Sequence, residues 1–232
     1  MPPRVTQGRS PFYIAYRPDS DVKYGLHPEL SQLSEKWVRN NVTNNAGDLP
    51  RLYSLILNVK QTLLDGVQGD LAELGVFRGN SAAVLAHYAR AHGRTVYLFD
   101  TYQGFDERDL KGTDTSRPPR FEDTSLDLVQ ESVGVDSVRY VKGYFPNSIP
   151  SDLLDGRFSV VHLDCDLYEP MKAGLEFFFP RLSPGGLMIF HDYSGGYWEG
   201  AKRAVDEFVS TIAENLILLP DKSGTAMIRK CA

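Results

Sequence analysis

A short glycine-containing motif carries the strongest chemical signal in this sequence. An apolar segment is followed by the pattern Glu-x-Gly-x-x-x-Gly, which places Glu73, Gly75 and Gly79 within seven residues, and Asn80 and Ser81 come directly afterwards. This pattern predicts a strand, a tight turn and the start of a helix. Glycine lets the backbone turn sharply at position 75 and pass close to a ligand at position 79. The sequence therefore predicts a nucleotide-cofactor site here.

A second apolar strand, predicted over residues 95–99, ends at Asp100 and Thr101, which we include in the same cofactor site. Doubly wound proteins place an acid at this position on the ribose hydroxyls of their cofactor. A dinucleotide fingerprint would carry a third glycine, because closely packed amides there hold a pyrophosphate. Fewer glycines, with Glu73 entering the turn, suit a cofactor that lacks phosphate and has a cationic end. S-adenosylmethionine fits that description.

Acidic residues follow two later strands. Asp164 and Asp166 come directly after the predicted strand 158–163, and His191 and Asp192 follow the predicted strand 187–190. If these strands are neighbours, Asp164, His191 and Asp192 converge at the carboxyl edge of the sheet, where open α/β sheets bind ligands. Side chains alternate along a strand, so Asp166 faces a different way from Asp164.

Two carboxylates and an imidazole in a crevice can hold one divalent cation with positions left for a substrate oxygen. The alternative is that each acid caps the helix after its strand. We interpret His87 and His162 as structural, since a histidine inside an apolar strand is usually a hydrogen-bonded core residue.

Length and composition predict one compact enzyme-sized domain. The chain has 232 residues, of which 42% are hydrophobic and 24% charged, and its formal net charge is −5. The absence of a basic cluster argues against a nucleic-acid partner. No apolar run approaches the ~20 residues that a bilayer span needs, which argues against a membrane partner. The first residues lack a secretory apolar core and the two cysteines form no framework, so we expect a cytoplasmic protein.

The order of predicted elements favours an α/β fold with a mostly parallel sheet and helices on both faces. An amphipathic helix is predicted over residues 49–64 and another helix over about 197–215. Two short strands at 216–219 and 225–229 then form a hairpin-like end. Residues 102–122 are polar and too long for a simple connection, and we interpret them as a mobile lid. The first 45 or so residues have an irregular pattern and several aromatic side chains. We interpret them as a flap over the active site, an arm that contacts a second subunit, or a segment that only packs against the domain.

Several motifs resemble one known family. From about Leu49 onwards the chain is similar to the macrocin O-methyltransferases, which methylate sugar hydroxyls on macrolides and related natural products. The resemblance rests on these segments: ELGVFRG (73–79), FDTYQGF (99–105), GYFPNSIP (143–150), LDCDLY (163–168), LSPGGL (182–187) and HDY (191–193).

The resemblance implies a Rossmann-like class I methyltransferase fold with a seven-stranded sheet, S-adenosylmethionine as the methyl donor, and magnesium-assisted transfer to a hydroxyl. The family's metal ligands fall on Asp164, His191 and Asp192, and its general base falls on Asp166. Histidine at position 191 departs from the family's acid. Because imidazole favours softer ions than magnesium, manganese or another transition metal is an alternative, and a metal-independent enzyme is a further one. The adenine wall is assigned to Gly143, Tyr144 and Phe145.

We therefore interpret residues 1–47 as an N-terminal arm or lid and residues 48–232 as an S-adenosylmethionine-dependent methyltransferase domain. The expected partners are a small-molecule hydroxyl acceptor and a second copy of the chain in a homodimer. Two other interpretations remain open at this point. One is an NAD-type oxidoreductase or nucleotide-sugar enzyme, which the missing third glycine disfavours. The other is a non-catalytic small-molecule-binding relative. The replacement of a family metal ligand by His191 is the feature that favours this interpretation.

Overall fold

A seven-stranded sheet organises the molecule. The computed structural model describes residues 29–40, 47–118 and 120–231. The strands run in the order β3-β2-β1-β4-β5-β7-β6, and β7 is antiparallel to both of its neighbours. Their bounds are β1 Asp70–Leu74, β2 Val96–Asp100, β3 Val138–Lys142, β4 Phe158–Leu163, β5 Leu182–Phe190, β6 Ile217–Leu218 and β7 Ala226–Arg229. The predicted mostly parallel sheet with an antiparallel end is confirmed.

Helices cover both faces of the sheet and bury two apolar clusters. The helices are α1 Glu29–Asn40, α2 Leu49–Leu64, α3 Asn80–Ala91, α4 Leu126–Val133, α5 Tyr168–Arg181 and α6 Glu199–Val209. Side chains from α1 to α4 form one cluster against the sheet, and side chains from α5 and α6 form the other. Successive side chains of a strand point to opposite faces, so β1 sends Leu71 into the first cluster and Ala72 into the second.

Three expectations about the elements need correction. Residues 29–40 are helical rather than irregular, because Leu33 and Trp37, four residues apart, share one buried face. Strand β5 begins at Leu182 rather than at 187, since Gly185 N–H and Gly186 C=O pair with Lys230 near the chain end. Helix α6 ends at Val209, short of the expected 215. The rest of the expected N-terminal arm, residues 1–28 and 41–46, lies outside the described residues.

The segment 102–122 is folded against the body of the protein. It contains two short 3-10 helices, Glu107–Asp109 and Gly112–Asp114, and both aspartates are buried. In the described parts of the chain, no helix is long and apolar enough to cross a membrane.

The turns that follow four of the parallel strands share one backbone feature. Phe77, Tyr102, Asp166 and Asp192 come after β1, β2, β4 and β5, and each has a φ between 50° and 61°. This left-handed conformation is uncommon for residues other than glycine and is found where the surrounding structure enforces it. Four of the six non-glycine residues with a positive φ in the described part of the chain thus lie at the carboxyl edge of the sheet.

Candidate active site

A cavity of about 330 Å³ lies at the carboxyl edge of the sheet. Of the predicted cofactor residues, the cavity is lined by Gly75, Ser81, Asp100, Thr101, Gly143, Tyr144 and Phe145. The predicted catalytic and metal-binding residues Asp164, Asp166, His191 and Asp192 line the same cavity. The fold thus brings both predicted sites into one space, as expected for the crevice of an open α/β sheet.

Asp100 anchors the turn after β1. Its Oδ2 accepts hydrogen bonds from the backbone N–H groups of Val76 (2.6 Å) and Phe77 (3.0 Å), and its Oδ1 accepts one from Tyr102 N–H (2.7 Å). These bonds hold the glycine turn against the end of β2. Asp100 therefore shapes the cavity as well as facing it.

Gly75 is required by a close backbone approach. A Cβ at this position would lie 2.0 Å from the carbonyl oxygen of Asp164, and the residue has φ +87°. Both the contact and the left-handed backbone exclude a side chain. The Asp164 N–H in turn donates to the Leu74 carbonyl at 2.8 Å, so the turn after β1 and the acidic turn after β4 are fixed to each other.

Two of the predicted cofactor residues lie outside the cavity wall. Glu73 is fully buried in the sheet, where its Oε1 lies 2.7 Å from His162 Nδ1 on the neighbouring strand β4. The expectation that Glu73 faces the cofactor's cationic end needs correction, because its side chain points across the strands. Gly79 packs against Val129 and Val133 of α4, and its role is to let α3 and α4 approach. His162 is structural, as expected.

The acidic turns meet at His191. Its Nδ1 lies 2.7 Å from Asp164 Oδ1 and 2.6 Å from Asp192 Oδ2, and all three side chains are largely buried. Although both distances are short, neither ring nitrogen of His191 makes a hydrogen bond of good geometry. The three side chains therefore direct their ligand atoms towards one small region, and one donor atom from each lies within 4.8 Å of the others.

This donor set fits a divalent cation. Two carboxylates and one imidazole are common ligands of manganese and other first-row ions. Neither nitrogen of His191 is committed to a well-formed hydrogen bond, although Nδ1 lies close to both carboxylates. Burial and the charge of Arg51 act to lower the pKa of His191, but Asp164 and Asp192 outweigh them and raise that pKa to about 9. A cation bound there would compete with the proton on His191.

Arg51 of α2 completes this cluster from the other side. Its Nη2 donates to Asp164 Oδ2 at 2.6 Å, and its guanidinium carbon lies 5.5 Å from the ring centre of Trp37 in α1. Burial acts to raise the pKa of Asp164, but His191 and Arg51 outweigh it and hold that pKa below its usual range. Asp164 therefore stays ionised between two basic side chains.

Asp166 differs electrostatically from Asp164. Burial, followed by the negative charges of Asp192 and Asp164, raises the pKa of Asp166 well above its usual range. A carboxylate with a raised pKa is a better proton acceptor near neutral pH than an ordinary one. Two acids separated by one residue thus have environments suited to different roles.

The segment after β2 supplies another buried acid. Asp109 lines the cavity, and its Oδ1 accepts a hydrogen bond from Tyr144 O–H at 2.8 Å. Burial raises the pKa of Asp109 to about 6, although the bond from Tyr144 acts in the opposite direction. Arg108 lies 3.7 Å above the Tyr144 ring and pairs with Asp106.

An aromatic wall faces the acidic turns. The rings of Phe105 and Phe121 contact each other edge to face with 5.2 Å between their centroids, and the Phe105 centroid lies 5.7 Å from that of Trp198. Tyr197, which is 46% exposed, continues the wall towards solvent. Arg120 also lines the cavity, and its Nη2 donates to Tyr197 O–H at 2.5 Å.

Sequence reasoning missed Arg51, Asp109 and Arg120. A signal for Arg51 was present, because it lies four residues before Leu55 and therefore on the buried face of α2, where a charge needs a partner. Asp109 and Arg120 sit in an irregular segment whose path has no periodicity, so their positions depend on the tertiary fold.

Comparison with known proteins identifies relatives of the chain. The model of a family described as macrocin O-methyltransferase (TylF) matches residues 47–223. The chain is 36% identical over 168 residues to 8-demethyl-8-(2,3-dimethoxy-alpha-L-rhamnosyl)-tetracenomycin-C 4'-O-methyltransferase of Streptomyces olivaceus, covering 66% of this chain and 64% of that protein. It is 33% identical over 165 residues to mycinamicin III 3''-O-methyltransferase of Micromonospora griseorubida, covering 62% and 63%. The matches span a little under two thirds of both relatives.

A solved structure agrees in fold. The O-methyltransferase NovP aligns with a TM-score of 0.74 and 25% identity, covering 88% of this chain and 98% of that one. The two chains therefore share their fold over most of their length.

Proposed function

Because the chain belongs to the macrocin O-methyltransferase family, we propose that it transfers a methyl group from S-adenosylmethionine to a sugar hydroxyl of a natural product. The observation that carries the proposal is the single cavity in which the turn held by Asp100 lies beside the acids Asp164 and Asp166. One end suits the donor and the other suits a hydroxyl that must lose a proton.

The donor is assigned to the turns after β1, β2 and β3. Gly75 allows the cofactor to approach the backbone, Asp100 offers its carboxylate to the ribose, and Gly143, Tyr144 and Phe145 form the wall for the adenine. Ser81 and Thr101 add hydroxyl groups on the same side. These assignments keep the predicted cofactor site except for Glu73 and Gly79, whose roles are structural.

The reaction assigned to this cavity is a direct displacement. The acceptor oxygen forms a bond to the methyl carbon as the carbon–sulfur bond breaks, the hydroxyl proton passes to Asp166, and S-adenosylhomocysteine leaves. The protein contributes alignment of oxygen, carbon and sulfur and a base with a raised pKa.

Asp164, His191 and Asp192 would hold a divalent cation. When bound, such an ion stabilises negative charge that develops on the acceptor oxygen. The imidazole in the donor set favours manganese or a similar ion over magnesium. Arg51 keeps Asp164 ionised and in place in either case.

Calorimetric titration of EDTA-treated protein with S-adenosylmethionine tests the donor, with NAD as the control ligand and with magnesium or manganese added in separate runs. We expect saturable binding of S-adenosylmethionine, none of NAD, and a larger effect of manganese than of magnesium. Asp100→Ala should weaken donor binding at least about tenfold. Binding of NAD instead would favour the oxidoreductase alternative, and equal donor affinity in Asp100→Ala would remove the ribose assignment.

Methyl transfer is tested separately with a panel of glycosides that carry free hydroxyls, followed by mass spectrometry of the products. A product heavier by one methylene on a sugar oxygen supports the proposal. Donor binding without transfer to any glycoside would favour the non-catalytic alternative.

A further inference from the structure

One acid of the cavity has a carboxyl oxygen that the protein itself does not use. Asp109 is 6% exposed, and its Oδ1 accepts the hydrogen bond from Tyr144 O–H. Its Oδ2 accepts no hydrogen bond from the described residues, although this atom is not sealed from solvent. Because Asp109 lines the cavity, its Oδ2 is available to a hydrogen-bond donor of a bound molecule.

The charge of Asp109 is also unmatched. In the part of the chain that the structure describes, no basic side chain forms an ion pair with this acid. The two nearest in sequence are paired elsewhere, Arg108 with Asp106 and Lys111 with Glu169. A buried carboxylate without a cation needs hydrogen-bond donors, and a ligand can supply the one that is missing.

The neighbours of Asp109 hold it in a fixed position. Asp109 N–H donates to the Asp106 carbonyl at 3.0 Å, and the Asp106 side chain accepts from Arg108 N–H, which together form the 3-10 turn. The Arg108 guanidinium carbon lies 3.7 Å from the centre of the Tyr144 ring and covers one of its faces. A ligand in the cavity can therefore contact only the other face or the edge of this ring, whose hydroxyl is directed at Asp109.

Asp109 lies in the part of the cavity that we assign to the adenine. Gly143 N–H donates to the Asp100 carbonyl at 3.0 Å, so the turn that carries Tyr144 adjoins the acid assigned to the ribose. The 3-10 helix that ends at Asp109 contacts α5. Asp109 is also close enough to Cys165, after β4, to act on that thiol electrostatically. It therefore lies near the turns after both β3 and β4.

The chemistry of the nearby side chains suits a planar base with one amino group. Four apolar side chains line the cavity as well: Phe99, Phe145, Leu167 and Pro170. The Tyr144 hydroxyl is committed to Asp109, which leaves Asp109 Oδ2 as an acceptor for the base. The exocyclic amino group of adenine donates to such an oxygen. The carbonyl of hypoxanthine at the same ring position would instead place a second acceptor beside it.

We propose that Asp109 determines the specificity of the enzyme for its methyl donor, by accepting a hydrogen bond from the amino group of adenine, and that Tyr144 positions Asp109 for this bond. Asp109 thus contacts the base and takes no part in the chemistry at the methyl group. The inference rests on the proposed binding of S-adenosylmethionine and extends it to the amino edge of the base.

Calorimetry at pH 8 compares two ligands that differ only at this edge, S-adenosylhomocysteine and its deaminated form, S-inosylhomocysteine. We expect the wild-type protein to bind the adenine form at least about tenfold more tightly, because the deaminated base leaves Oδ2 without its donor. In Asp109→Asn the ratio of the two affinities should fall to within about threefold, since an amide can turn either an oxygen or an N–H towards the base. Asp155→Asn, at an exposed position, is the matched control and should keep the wild-type ratio.

Tyr144→Phe tests the positioning role separately. This variant keeps the aromatic ring and removes only the hydrogen bond to Asp109 Oδ1. We expect the ratio of affinities to fall in Tyr144→Phe, but less than in Asp109→Asn. Because partial unfolding of a variant affects both ligands alike, the ratio does not depend on changes in stability.

A wild-type ratio near one, or the wild-type ratio retained in Asp109→Asn, would overturn the role of Asp109. A raised KM for the acceptor in Asp109→Asn, with unchanged binding of both nucleoside ligands, would also overturn it, because the carboxylate would then serve the acceptor. Failure of the proposed function would look different, since S-adenosylhomocysteine would then not bind to the wild-type protein.

Discussion

At the scale of single residues, Asp164 connects two kinds of interaction in the candidate active site. One oxygen lies 2.7 Å from His191 Nδ1 and the other accepts from Arg51 at 2.6 Å. Its backbone carbonyl faces Gly75 and its N–H bonds to Leu74, so it also fixes the turn on the donor side. A change confined to its carboxylate should therefore separate chemistry from donor binding.

We expect Asp164→Asn to lower kcat by at least about 10²-fold, because an amide cannot supply the negative charge that the cluster needs. Affinity for S-adenosylhomocysteine should change less than about threefold, since the backbone contacts remain. Steady-state kinetics and calorimetry measure the two effects. Asp152→Asn, which alters an exposed acid on the surface, is the control. Wild-type turnover in Asp164→Asn would contradict the proposed role.

The raised pKa of Asp109 predicts that the stability of the protein depends on pH. Its pKa is raised from 3.8 to about 6, so the folded protein holds this proton more tightly than the unfolded chain does. The resulting stabilisation is complete below about pH 4 and is lost as the pH rises through about 6. Asp109→Asn keeps an acceptor for Tyr144 but does not titrate.

As the pH rises from 4 to 7, the free energy of unfolding of the wild type should therefore fall relative to that of Asp109→Asn, by on the order of 1–3 kcal/mol. Urea denaturation at several pH values, followed by circular dichroism, measures the difference. Asp155→Asn, at an exposed site, should follow the wild-type profile. Parallel profiles for Asp109→Asn and the wild type would show that Asp109 titrates normally.

At the scale of secondary structure elements, the turn after β1 depends on a contact that the sequence does not display. The Glu-x-Gly-x-x-x-Gly pattern predicts a tight turn, but it does not reveal that Gly75 abuts the backbone after β4, nearly ninety residues away. The neighbouring strands β1 and β4 cannot approach in this way if position 75 carries a Cβ.

Gly75→Ala should destabilise the fold by about 3 kcal/mol or more, because a Cβ would overlap the Asp164 carbonyl and the φ is left-handed. Gly66→Ala is a matched control, since Gly66 also has a positive φ but has nothing within 4 Å of a Cβ. That control should cost about 1 kcal/mol. Chemical denaturation of both variants measures the costs, and similar values would show that β1 and β4 can move apart.

Most elements could be predicted from apolar periodicity and from turn residues. Helix α2 agrees with its predicted bounds of 49–64 because Pro50 starts it and a regular apolar stripe runs along it. The N-terminal end of β5 could not be predicted, because Ser-Pro-Gly-Gly reads as a turn until the chain end pairs with it. The direction of the Glu73 side chain could not be predicted either, because its partner His162 lies on another strand.

At the scale of the whole molecule, α1 joins the N-terminal part of the chain to the active site. Trp37 is 1% exposed, its ring lies beside the Arg51 guanidinium, and its carbonyl accepts from Asn80 at 3.4 Å. Arg51 continues this chain of contacts to Asp164. The helix therefore contributes both to the core and to the placement of a charge in the cavity.

Trp37→Ala should lower the free energy of unfolding by about 3–5 kcal/mol through the cavity that it leaves. It should also lower kcat, because Arg51 loses the ring that holds it. Thermal or urea unfolding and steady-state kinetics measure these effects. Val38→Ala, at a 45% exposed position in the same helix, should stay within about 0.5 kcal/mol of the wild type. A Trp37→Ala protein as stable as Val38→Ala would show that α1 docks without this side chain.

The four left-handed residues at the strand ends have a consequence for engineering. Phe77, Tyr102, Asp166 and Asp192 occupy backbone conformations that most substitutions, and β-branched ones above all, make worse. In a library that randomises these four positions, we expect most variants to be destabilised. Directed evolution towards new acceptors should instead vary Phe105 and Tyr197, which are not among the residues with a positive φ and whose side chains form the outer wall of the cavity.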